Sequence, residues 1–225
     1  MQKYKEREFI LKLGKFVTSF IIYLLVYSLA GLFLDILFNN EYDQVTYAIR
    51  RIFQLILNIA YVSYVASIIK IKISYKINPL KLILYTIVLF ALIFIYETTV
   101  DVFIDKVFTP DAASQSRGSS IQALLQYPVA FFIQACISAP LLEEFLVRGA
   151  LYEILREKLS VAWSIAITGI FFTIMHFDSI NSLFYIMISI IFSLIYIKTN
   201  NILYCVILHM FVNAFSLISY YLGNI

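Results

Sequence analysis

Charge is what this chain lacks most. Of its 225 residues only 14% are Asp, Glu, Lys or Arg, against roughly 25% in an ordinary soluble domain. With 62% of residues hydrophobic, a chain folded in water would leave wide apolar surfaces uncovered, whereas one whose solvent is lipid would not. The net charge of +3 gives no basis for nucleic-acid binding. Cysteine is nearly absent. Cys136 and Cys205 lie in apolar runs without a CxxC pair, so neither a disulfide nor thiol chemistry is expected, and both read as small packing residues. Proline and glycine are also few, at 4 and 6 residues, which leaves long stretches uninterrupted.

Those stretches are what the chain has instead. A membrane helix needs roughly 17–25 mostly apolar residues, and candidate runs lie near 16–38, 52–69, 80–96, 121–142 or beyond, 161–177, 182–197 and 201–222. They are too long and continuous for barrel strands, so the expected fold is all-α, a polytopic bundle of about seven helices. The first run exceeds a signal-peptide core and reads as a retained span. No repeat and no soluble appendage stands out. The chain reads as one membrane domain over 1–225, with N-terminal spans in 1–120 and a functional core in 121–222.

Basic residues suggest an orientation. Lys3, Lys5, Arg7, Lys12 and Lys15 would share a side with Lys70, Lys72, Lys76, Lys81, Arg156, Lys158 and Lys198. The other side would carry Arg50, Arg51, Lys106 and Arg117 among the acids Glu41, Asp43, Glu97, Asp101, Asp105 and Asp111. The positive-inside rule then expects a multi-pass protein of the cell membrane with a cytoplasmic N-terminus. The stretch 97–120, with Pro110 and a polar run from Ser114 to Ser120, reads as a loop or short surface helix.

The second half places ionisable residues where lipid should be. A charge at mid-membrane costs at least ~2.5–3.5 kcal/mol, so each needs a partner or a task. Glu143-Glu144-Phe145-Leu146-Val147-Arg148 puts Glu144 and Arg148 four apart, on one helix face, as an ion pair. Glu143 points about 100° away and is left to act elsewhere. The chain has two histidines, His176 and His209, both in expected spans, and Asn213 shares a face with His209. Measured from the basic ends of their helices, Glu143, His176 and His209 lie ~20, ~24 and ~15 Å deep at 1.5 Å per residue, differences that helix tilt can absorb. They meet only if the fourth helix continues through Glu143 to about Arg156, kinked by Pro140 with backbone carbonyls freed beside the acids.

The blander alternatives are packing and self-bonding. Phe172 reads as core, and Ser164, Thr168 and Thr173 as bonded back to their own helix. Asp35 and Asn58 read as facing loops or the bundle interior, and Ser189 and Ser193 as small residues for close helix packing.

The motifs Glu143-Glu144 to Arg148, Phe172 to His176 and His209 to Asn213, in that order on successive spans, resemble EExxxR, FxxxH and HxxxN of the CPBP intramembrane proteases. That family comprises CAAX prenyl proteases and bacteriocin-processing enzymes and is also called Abi. The resemblance covers about 121–222, with Gly149 following the arginine, but the glycine-rich sixth span common in the family is absent. It implies an endopeptidase acting on a peptide or protein substrate in the membrane, with bacterial roles in bacteriocin or pheromone processing, export or self-immunity.

By the same resemblance, Glu143 is the general base on water and His176 holds that water. His209 and Asn213 stabilise the oxyanion, and Arg148 with Glu144 fixes the helix. Glu143, His176 and His209 also make a two-histidine, one-carboxylate set for a divalent metal such as zinc, although the chain has no HExxH. The metal-free version is preferred and no other cofactor is expected. Rival expectations are a catalytically silent partner of a sensor kinase or other membrane protein, an immunity protein, and a small transporter. A transporter usually shows repeated halves, which this sequence does not.

Overall fold

The computed structural model describes residues 2–38, 43–69, 74, 76–103, 126–176 and 181–223. Every regular element among them is helical: α1 (Gln2–Leu37), α2 (Gln44–Ile69), α3 (Pro79–Tyr96), α4 (Pro128–Arg156), α5 (Val161–Met175), α6 (Ser182–Thr199) and α7 (Ile202–Gly223). Six are long and apolar enough to cross a membrane, and α5 is shorter at 15 residues. The expected seven-helix membrane bundle is therefore what is found.

Helix ends follow local chemistry. α3 starts at Pro79 behind Asn78, whose side chain accepts the Lys81 N–H at 3.2 Å, and Ser160 caps α5 by accepting the Trp163 N–H at 3.3 Å. Asn200 ends α6 in the left-handed region at φ 47°, which asparagine tolerates. The chain turns there directly into α7. Asn201 Nδ2 donates to the Lys76 carbonyl at 3.0 Å, and the Asn78 N–H donates to the Tyr204 hydroxyl at 2.7 Å. The start of α3 is thereby pinned to the α6–α7 turn.

Several boundaries differ from the apolar runs. α1 and α2 begin well before the expected 16 and 52, because the Lys, Glu and Arg residues ahead of the first run are good helix formers and Asp43 caps the start of α2. Glu97–Asp101 continues α3 as a π-helical turn instead of starting a loop; Thr98 and Thr99 hydroxyls donate to carbonyls one turn back. The rest of the expected 97–120 loop, with Lys106, Pro110, Asp111 and Arg117, lies mostly beyond Phe103 and outside the described residues, as do Glu41, Lys70 and Lys72.

α4 is central. It runs unbroken past Glu143 to Arg156, as the depth argument required. Two π-helical segments, Ile133–Ser138 and Phe145–Tyr152, flank an α-helical turn at Ala139–Glu144. π segments in α-helices are frequent at functional sites. One side of α4 (Leu146, Ala150, Ile154) packs into a cluster with Phe16 and Tyr23 of α1 and Tyr61 and Val65 of α2. The other (Phe145, Val147, Tyr152) packs with Leu89, Phe172, Phe192 and Leu208 from α3, α5, α6 and α7.

Candidate active site

Pro140 shapes the helix that carries the acids. In the π segment before it, the Ala139 N–H reaches back five residues to the Gln134 carbonyl. The next bond in that register would join residue 140 to the Ala135 carbonyl, but proline has no N–H to give. Asn213 of α7 supplies the missing donor: its Nδ2 lies 2.8 Å from the Ala135 oxygen. The sequence placed freed carbonyls near the acids and Asn213 near the site. Their direct pairing could not be read, because it depends on a π register that no residue pattern announces.

Below Pro140 the two acids diverge as expected. Glu144 and Arg148 are completely buried and paired, Nη1 to Oε1 at 3.1 Å. Arg148 Nη2 also donates to the backbone and hydroxyl oxygens of Ser189 on α6, each at 2.9 Å. Its guanidinium lies 4.9 Å from the Phe172 ring centre and 5.5 Å from that of Phe192, so aromatic faces and hydrogen bonds together replace its hydration. Ser189 therefore does more than allow close packing. A polar residue on an otherwise apolar span, facing a buried arginine, was the available signal.

Glu143 has a different environment. Among the described residues its Oε2 is buried without a hydrogen-bond partner, and it faces two imidazoles, His176 Nε2 at 3.7 Å and His209 Nε2 at 3.8 Å. Side-chain exposure is 15% for Glu143 and 19% for His176, but 0% for Glu144. The partly accessible carboxylate is the one without a structural bond.

The other ring nitrogens fix how the imidazoles are presented. His176 ends α5, with Nδ1 2.7 Å from the Phe172 carbonyl. A carbonyl only accepts, so Nδ1 carries the proton and Nε2 of the neutral ring offers a lone pair. His209 Nδ1 lies 2.9 Å from Glu144 Oε1, and the same logic turns its Nε2 towards Glu143. His209 thus bridges the two acids, a link missed in the sequence because Glu144 already had Arg148 as partner. Tyr185 of α6 stacks on the His176 ring with centroids 3.9 Å apart and 26° between planes, and Phe172 covers it at 4.5 Å. Nothing in the sequence marked Tyr185.

A second polar thread reaches α4 from the N-terminal helices. Tyr23 donates its hydroxyl to Asn58 Oδ1 at 2.5 Å, and Asn58 Nδ2 donates to Ser138 at 2.8 Å. Asn58 is therefore an interior residue. Asp35 pairs with Arg50 of α2. Ser164, Thr168 and Thr173 bond back to carbonyls four residues earlier, as expected.

Among the described residues no group of three or more His, Cys, Asp or Glu side chains is arranged to hold an ion.

A helical membrane bundle that seats one carboxylate between two imidazoles from separate helices has the parts of an acid–base site within the lipid layer. Residues 125–215 match the family model described as type II CAAX prenyl endopeptidase Rce1-like. The membrane-embedded CAAX protease MroQ of Staphylococcus aureus (strain USA300) is 28% identical over 155 residues, which make up 66% of this chain and 62% of that protein. The chain thus spans less than two thirds of that relative's length. No solved structure matches. The resemblance read from the three motifs is borne out by both comparisons, which find the second half of the chain similar to CAAX-type membrane proteases.

Proposed function

We propose that the protein is an intramembrane endopeptidase whose general base is Glu143. One observation carries this reading: a carboxylate oxygen with no hydrogen-bond partner among the described residues lies 3.7 and 3.8 Å from the Nε2 atoms of two histidines. Those separations exceed a direct hydrogen bond and fit groups that share one water, within a base's reach. The water donates one hydrogen to Glu143 and the other to His176 Nε2. As its oxygen bonds to the scissile carbonyl carbon, Glu143 takes the first proton. The C–N bond then breaks and the departing amine takes that proton from Glu143, which leaves a carboxylic acid, an amine and the base regenerated. His209, held through Nδ1 by Glu144, donates to the oxyanion when its Nε2 carries a proton.

Asn213 is assigned here to holding α4, since its amide is engaged with Ala135; this replaces the oxyanion role expected from the resemblance. The substrate is read as a hydrophobic or membrane-associated peptide, with bacteriocin or pheromone processing as the kind of task. The basic end of the bundle, with Lys12, Arg156 and Lys198, is read as cytoplasmic.

The test is mass spectrometry of membrane and secreted peptides from cells with the wild-type protein or Glu143→Gln at matched membrane abundance. Products that vanish with Glu143→Gln support hydrolysis. An unchanged peptide profile together with an unchanged cellular phenotype would mean that the protein acts by binding a partner. A zinc chelator is expected to leave processing intact; loss on chelation and recovery on zinc addition would overturn the metal-free version.

A further inference from the structure

Neither the acids nor the histidines of the site stand on α6, yet one stripe of that helix backs them. Tyr185, Ser189 and Phe192 follow the i, i+4, i+7 spacing of a single helix face. Ser189 accepts from Arg148 through its backbone and hydroxyl oxygens. The Phe192 ring centre lies 5.3 Å from that of His209. Tyr185 lies over His176, with ring centres 3.9 Å apart and 26° between planes. The bond from Arg148 to Ser189 fixes how α6 is rotated, and the same rotation delivers Tyr185 to His176 one turn away.

The two histidines are held unequally. His209 is buried, and its Nδ1 meets a carboxylate, Glu144 Oε1, at 2.9 Å. His176 stands at the end of α5 with its side chain 19% exposed, and its Nδ1 meets a neutral carbonyl, that of Phe172, at 2.7 Å. A bond to a charged group is roughly twice as strong as a neutral one. The χ2 torsion of histidine is broad and two-fold, so a ring tied at one corner can swing Nε2 aside. A shift of about 1 Å at a reacting group can cost about 10²-fold in rate. We infer that Tyr185 is the positioning residue of His176: its ring face keeps Nε2 aimed at the water beside Glu143, a role that presupposes the endopeptidase reading above.

The test reads the imidazole directly. The chain has two histidines, so nitrogen NMR of the full chain in detergent, grown with isotope-labelled histidine, shows two imidazoles, and the set lost in His176→Gln belongs to His176. In the wild type that ring should carry its proton on Nδ1. Tyr185→Leu removes the stacked face, and Tyr185→Met does the same with a side chain that fills irregular gaps, which keeps the test sound if one of the two misfolds. Each should lower the ratio of the Nδ1-protonated to the Nε2-protonated ring by about 2- to 10-fold, the scale of one aromatic stack. Peptide processing per folded molecule, read by mass spectrometry, should fall by about tenfold or more. Tyr185→Phe keeps the ring and should restore both readings. Tyr85→Leu, which takes a ring from the same apolar cluster where it meets Tyr204, should move neither. An unshifted His176 signal in Tyr185→Leu and Tyr185→Met would overturn the assignment, as would a Tyr185→Phe that behaves like Tyr185→Leu. Wild-type processing alongside a shifted signal would overturn it too. Unchanged processing in Glu143→Gln would instead remove the endopeptidase reading itself.

Discussion

The two halves of the bundle bury their residues to different degrees. In the spanning windows of α1, α2 and α3 only 11%, 22% and 17% of residues are buried, against 39%, 33% and 39% in α4, α6 and α7. Mean hydropathy does not explain this, since the α1 and α3 windows, at 2.3 and 2.2, are more apolar than α4 at 1.6. In lipid an apolar side chain gains little by leaving one hydrocarbon environment for another, so hydrophobicity alone gives helices no reason to wrap around each other. Ionisable groups do have a reason. Arg148, Glu144 and His209 must find one another because nothing else at that depth can satisfy them. The tightly packed half is the half with the fully buried charges, and its packing follows from their hydrogen bonds.

That contrast is tested most severely at the acids. Glu143→Gln removes the base and leaves shape and packing alone, so peptide processing should fall by about 10²–10⁴-fold while membrane abundance and thermal stability stay near wild type. Arg148→Leu should do the reverse. It strands the fully buried Glu144 and empties both bonds to Ser189, and breaking one side of a buried pair costs about 3–5 kcal/mol. Loss of the folded protein, measured as a fall in melting temperature and abundance, is expected. If Arg148→Leu instead folded normally and lost only activity, the arginine would belong to the chemistry and not to the scaffold.

Asn213→Ala sharpens the division within the packed half. The half-buried Ala135 carbonyl would lose its donor opposite Pro140, a loss of about 1 kcal/mol, the low end for a polar group left alone. Activity per folded molecule should drop less than about tenfold, well below the about 10²–10³-fold that follows loss of an oxyanion donor. A drop of oxyanion-hole size in a fully stable variant would restore Asn213 to the reacting centre.

How much of this was legible in the sequence follows the same physics. Lipid forces backbone polar groups into helices, so helix number and type followed from length and apolarity alone. The spacing of Glu144 and Arg148 gave their pairing, and the offset of Glu143 gave its freedom. Two things were hidden. Helix starts lay ahead of the apolar runs because charged helix formers and the Asp43 cap continue the helix where hydropathy ends. Links that cross between helices, Ser189 to Arg148, His209 to Glu144 and Asn213 to Ala135, need the relative rotation of neighbours, and the π segments of α4 change that rotation without a local marker.

The smallest effect belongs to the loosely packed half, at its water-exposed edge. Asp43 stands just before α2, accepts the Thr46 N–H at 2.7 Å and donates its own N–H to the Thr46 hydroxyl at 2.9 Å, a reciprocal cap. The backbone N–H of Thr46, first, and then the Thr46 hydroxyl hold the Asp43 carboxyl below its usual value of 3.8. A carboxylate with a depressed folded value stabilises the fold above its unfolded value and loses that contribution as pH falls through the folded one. The first turn of α2 should therefore exchange its amide hydrogens faster as pH drops below about 4, after correction for intrinsic rates, while the amides around Glu144 and Arg148 stay protected. Asp43→Asn keeps the side-chain acceptor and removes the titration, so its α2 exchange should show no such acid step. Equal acid loosening in Asp43→Asn would show that the α2 terminus answers to another group, and that the exposed half draws its order from contacts beyond its own cap.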